Sequence, residues 1–138
     1  MLPFVARGGD GGEAVSGPRR ATYLLVSEFH LLETWARELT AMFPGHVPYL
    51  VGSALTTKDY RDVDVRLILS DEEYSTLAVM VDIRRLNVAV SLWGQRVTGL
   101  PIDFQVQSMI EANVPDHGQR NALGIRDWSN PDDRPEEG

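Results

Sequence analysis

Asp62 and Asp64 stand one residue apart at the head of the segment DVDVRLILS, and Asp103 opens a second segment of the same kind, PIDFQVQS. Side chains of an extended strand point to opposite faces in turn. Val63, Val65, Leu67 and Leu69 would therefore line a buried face, leaving Asp62, Asp64 and Arg66 together on the other. The same alternation separates Ile102, Phe104 and Val106 from Asp103, Gln105 and Gln107. Carboxylate oxygens are the preferred ligands of hard divalent cations, so paired acids on one strand and a third on another suit magnesium chemistry. Upstream, Gly52 and Ser53 close the short apolar run VPYLVGS, and an eight-residue polar link, Ala54 to Arg61, joins them to the paired acids.

Other elements must hold these residues in place. Leu25, Phe29, Leu32, Ala36 and Leu39 recur at spacings of three and four, with Trp35, Met42 and Phe43 widening the stripe. This predicts a helix from about Ser27, read as its N-cap, to Phe43, stopped by Pro44-Gly45. Asp71-Glu72-Glu73 suits a helix start, and the stretch to about Trp93 reads as a helix, with an interruption allowed and Gly94 and Gly99 bracketing its exit. Val79, Val81, Val88 and Val90 are β-branched and keep a strand open as the alternative there. Residues 1–21 are Gly-rich without periodicity and read as a flexible leader. Residues 22–114 form the expected single domain, and 115–138 an irregular C-terminal tail that frays. The expected fold is α/β (α+β): a small mixed sheet with helices packed on one face and the metal site on the open face.

Composition narrows the chemistry. The 138 residues include no cysteine, which excludes disulfides, thiolate metal sites and cysteine nucleophiles. Hydrophobic usage of 43% supports a buried core, while no apolar run approaches the roughly 20 residues that span a bilayer. No membrane association and a cytoplasmic location are the expectations, since the N-terminal residues lack the apolar stretch of a secretion signal. A net charge of −7 argues against gripping a long nucleic acid, which needs clustered Lys and Arg. A small anionic ligand stays compatible, because bound divalent cations reverse the local field around carboxylates.

The order G-S, an eight-residue link, D-x-D, then a third Asp opening a later strand resembles the DNA polymerase β-like nucleotidyltransferase superfamily, over roughly Val47 to Gln107. The resemblance implies a metal-dependent transfer of a nucleoside monophosphate from an NTP, ATP among them, to a hydroxyl acceptor, with pyrophosphate released. It assigns Asp62, Asp64 and Asp103 as catalytic and metal-binding residues around two Mg2+ ions, with Mn2+ as a substitute. Asp103 would also serve as base toward the acceptor. Gly52 would let the backbone approach the β- and γ-phosphates, and Ser53 would donate to them. Lys58 and Arg61 are the candidates for neutralising the triphosphate. The acceptor is open among a protein, an RNA end and a small molecule. The link is slightly shorter than is usual in the family and lacks the Arg-Gly often found after the serine, and the helical domain that often holds base or acceptor is missing. A homodimer or a partner chain would have to supply that surface.

Blander readings compete. A D-x-D pair alone is often two solvated carboxylates at a strand entrance, and Lys58 and Arg61 also fit a solvated loop. Haloacid dehalogenase-like phosphatases use D-x-D too, but there the pair follows an apolar strand instead of preceding one. His30, His46 and His117 lack metal-ligand spacing. Trp35, Trp93 and Phe104 fit core positions, whereas Trp128 lies among polar residues and could cover a ligand or a partner. A catalytically inactive protein of this fold, binding nucleotide or a protein partner as a regulatory module, is the alternative function.

Overall fold

The computed structural model describes residues 22–113, 119–130 and 132. The leader at 1–21 lies outside these, as do His117 and most of the last eight residues. Helix α1, Val26–Met42, buries Phe29, Leu32, Trp35, Ala36 and Leu39 on one stripe, as the spacing predicts. It starts two residues earlier than a Ser27 cap would place it. Leu25 holds the N-cap position but has no acceptor, and its backbone N–H donates instead to the Glu28 carboxylate at 2.9 Å.

Strand β1, Tyr49–Val51, leads through a 3₁₀ turn at Gly52–Leu55 to β2, Val63–Leu69. Two helices follow, α2 at Asp71–Met80 and α3 at Ile83–Thr98, and then β3, Ile102–Ser108, the short α4, Met109–Ala112, and β4, Asn121–Ala122. The four strands form one mixed sheet in the order β3-β2-β1-β4. β2 and β3 run parallel, and β1 is antiparallel to both β2 and β4. The fold is thus α+β. Val63, Val65 and Leu67 from β2 join Ile102, Phe104 and Val106 from β3 in a core shared with the buried stripe of α1. Among the described residues no helix is long and apolar enough to cross a membrane.

The interruption between Asp71 and Trp93 falls at Val81-Asp82, and each helix carries its own cap. Ser70 Oγ accepts from Glu73 N at 3.1 Å while Glu73 Oε1 accepts from Ser70 N at 3.0 Å, the reciprocal pair that closes a helix start. Asp82 Oδ1 accepts from Arg85 N to start α3. These caps decide against the strand alternative, and Val79, Val88 and Val90 are all helical. Gly99, at φ 74°, ends α3 in the left-handed conformation. Gly94 does not mark the exit. It is buried inside α3, where an added Cβ would lie 2.7 Å from the Trp35 ring, so its role is to let two helices meet. Trp35 also takes an edge-on contact with Trp93, ring centroids 5.7 Å apart.

α3 does a second job that fixes β3 in place. As the outermost strand, β3 has one row of backbone groups without a neighbouring strand. Side chains one turn apart on α3 meet that row. Asn87 Oδ1 accepts from Val106 N at 3.0 Å, Ser91 Oγ accepts from Phe104 N at 2.8 Å, and Gln95 Nε2 donates to Ile102 O at 3.0 Å.

The C-terminal segment differs from the expected frayed tail over its described part. β4 extends the sheet beside β1, and Leu123 is fully buried. Arg126 reaches back to the buried Glu33 of α1, Nη1 to Oε2 2.9 Å, and donates to Ala122 O and Asn121 Oδ1 at 2.8 and 2.6 Å. Gly124 N donates to the same Glu33 carboxylate at 2.7 Å. Trp128 stacks on His30 at 4.4 Å and packs against the core, so its ring is occupied within the fold. Nothing local in the sequence signals this segment, because its bonds span about ninety residues of chain, from 33 to 126.

Candidate metal centre

The parallel register of β2 and β3 sets Asp64 directly beside Asp103. Both side chains point away from the buried face, each half-buried, and the exposed Asp62 precedes them at the strand entrance. One oxygen from each of the three carboxylates lies within 4.8 Å of the others. That is the spread a single cation or a close pair can gather, and an all-oxygen donor set fits magnesium, manganese or calcium. The residues therefore fit the group that the sequence suggests.

Gly52 is tied to the same point. β1 pairs with β2 so that Val51 faces Asp64, and the chain then turns at Gly52 with φ 81°. A Cβ at Gly52 would lie 2.3 Å from Asp64 Oδ2, so only glycine lets the turn pass this close to the carboxylate. Ser53, half-buried, closes the 3₁₀ turn through its carbonyl, which accepts from Thr56 N and Thr57 N at 2.9 Å each. Lys58 and Arg61 are exposed in the link, and neither forms an ion pair among the described residues. The structure thus gathers Gly52, Asp62, Asp64 and Asp103, keeps Ser53 adjacent, and leaves Lys58 and Arg61 on the surface of the link.

One residue in the cluster has no role in the sequence reading beyond its face of the strand. Arg66 Nη1 donates to the backbone carbonyls of Val65 and Asp103 at 3.1 and 2.8 Å. Its Nη2 stands 3.7 Å from Asp64 Oδ1 and 3.9 Å from Asp103 Oδ2. The D-x-D-x-R spacing carries the signal: the arginine lies two residues past Asp64, on the same face of the strand. Burial pushes the Asp64 carboxyl above the usual aspartate range; Arg66 opposes that rise, and the neighbouring Asp103 and Asp62 add to it.

An open cleft of about 1000 Å³ adjoins the cluster on the β3 side. Asp62 and Asp103 border it, with Arg84, Arg85, Val88 and Leu92 of α3 along its length. It offers apolar surface, the Arg84 guanidinium and an Arg85 guanidinium already paired with Asp82, with room for a substrate larger than a bare ion.

No protein-family model matches the chain, and neither a curated protein nor a solved structure does.

Proposed function

We propose that the chain is a minimal nucleotidyltransferase of the DNA polymerase β-like type, moving a nucleoside monophosphate from an NTP to a hydroxyl acceptor. The observation that carries this reading is the convergence of Asp62, Asp64 and Asp103, with the Gly52 turn so close to Asp64 that no larger residue fits there. Asp62, Asp64 and Asp103 would hold magnesium, which when bound supplies positive charge against the triphosphate and acidifies the acceptor hydroxyl. The turn at Gly52 lets the β- and γ-phosphates approach the backbone, and the Ser53 hydroxyl donates to them. Asp103, the most exposed of the two strand acids at 41% for its side chain, takes the proton from the acceptor hydroxyl. The acceptor oxygen then bonds to the α-phosphorus as the α–β bridging oxygen leaves with pyrophosphate. The adjoining cleft, on the Asp103 side, is where that acceptor enters.

The test is pyrophosphate release from each of the four NTPs with Mg2+ and a panel of protein, RNA-end and small-molecule acceptors. Asp64→Ala and Asp103→Ala should each abolish release while circular dichroism shows the fold intact. Release retained by both variants would refute the assignment. Arg66 favours a second reading, a protein of this fold that binds nucleotide or a partner without transfer, because a guanidinium already offsets part of the charge a metal would meet. That reading predicts nucleotide retention with no pyrophosphate from any acceptor.

A further inference from the structure

Arg66 is held in a way that a surface cation is not. Its side chain is 13% exposed, and two backbone carbonyls fix the guanidinium through Nη1. At 3.7 and 3.9 Å, Nη2 is beyond direct hydrogen-bond distance of the Asp64 and Asp103 carboxylates. It therefore acts on them through its charge and leaves their lone pairs free for another ligand. Asp62, by contrast, has no ion-pair partner among the described residues. Within one site the acids at the strand pair already have a cation, and the acid at the entrance does not.

We propose that Arg66 is a built-in cation occupying one of the two positive positions of the site, so that in the nucleotide-free chain the three carboxylates hold one divalent ion and not two. This inference rests on the metal-site reading above. The three carboxylates carry a formal charge of about −3 and the guanidinium about +1, leaving about −2 for added ions to balance. One divalent cation completes that balance. A second would bring excess positive charge within a few ångströms of a fixed guanidinium, in a half-buried setting that salt screens poorly. Arg66 also holds Asp103 by its carbonyl, so it positions this acid whether or not a metal is present.

The experiment counts ions. Binding of Mn2+ alone is followed by electron paramagnetic resonance for the wild-type chain, Arg66→Met and Arg66→Lys. Arg66→Met removes the charge and keeps an apolar stem, whereas Arg66→Lys keeps the charge. The expected result is one Mn2+ per chain for wild type and Arg66→Lys, and two for Arg66→Met, with the second ion bound at least about tenfold more tightly than wild type binds any second ion. Should Arg66→Met lose its near-ultraviolet dichroism, Arg66→Gln carries the same test, since its amide can still donate to the two carbonyls. Two ions on the wild-type chain would overturn the role given to Arg66 and leave the metal site standing. A single ion on the folded, uncharged variants would overturn it equally. No Mn2+ on a folded wild-type chain would remove the metal site itself, and this inference with it.

Discussion

Gly52→Ala tests the link between the turn and the acids, and Gly99→Ala is its internal control. Both glycines have left-handed backbones, at φ 81° and 74°. An alanine there costs about 1–2 kcal/mol of backbone strain at either position. The two differ in what the new methyl meets. At Gly99 nothing lies within 4 Å, whereas at Gly52 the methyl would sit 2.3 Å from Asp64 Oδ2. Ordinary contact begins near 3.4 Å, so the carboxylate must retreat by about 1.1 Å. A retreat of that size displaces a metal ligand far enough to weaken binding about 10- to 100-fold. Urea denaturation should therefore show a loss of about 1–2 kcal/mol for Gly99→Ala and at least as much for Gly52→Ala, while calorimetric Mg2+ or Mn2+ binding falls only for Gly52→Ala. Equal metal affinity in the two variants would refute the claim that the turn and Asp64 form one site.

Arg126→Met should destabilise the fold by about 3–5 kcal/mol, because it leaves the fully buried Glu33 carboxylate without its cation; a loss under 1 kcal/mol in urea would show that the C-terminal segment is not held through this pair. Ser91→Ala strips both Phe104 backbone groups of their edge partner and should cost about 1–3 kcal/mol; an unchanged denaturation midpoint would mean that water replaces the hydroxyl without loss. The Asp64 carboxyl, raised above its ordinary 3.8 chiefly by burial, binds its proton more tightly in the folded state than in the unfolded one. Its contribution is therefore full below that ordinary value and is lost as pH rises through the raised folded value. Metal-free wild type should lose stability relative to Asp64→Asn as pH rises across that window, and saturating Mg2+ should remove the difference; parallel pH profiles without metal would contradict this.

Alternation made the acid cluster legible, since it placed Asp62, Asp64 and Arg66 on one face of β2 and Asp103 on the matching face of β3 before any pairing was known. The parallel register that brings Asp64 against Asp103 is tertiary and leaves no local trace. Gly94 shows a different limit: a glycine that lets Trp35 approach α3 looks the same in sequence as one that ends a helix, and only Gly99 is the terminator. Asn87, Ser91 and Gln95 recur at every fourth position, and nothing local gives that spacing a meaning, which depends on β3 being the outermost strand. The C-terminal segment escaped because two residues of β4 carry no periodicity and the Glu33–Arg126 pair joins distant parts of the chain. Conversely, the caps at Ser70 and Asp82 are short-range, and so the two-helix division of the 71–98 stretch follows from chemistry within four residues.

Isothermal titration of each of the four NTPs in the presence of Mg2+, comparing wild type with Asp62→Asn/Asp64→Asn, tests the central claim most directly. The account predicts that at least one NTP binds, that binding disappears when Mg2+ is chelated, and that the double variant, folded by circular dichroism, binds none. Nucleotide binding that is unchanged by chelation or by the double substitution, or no binding to the folded wild-type chain, would contradict it.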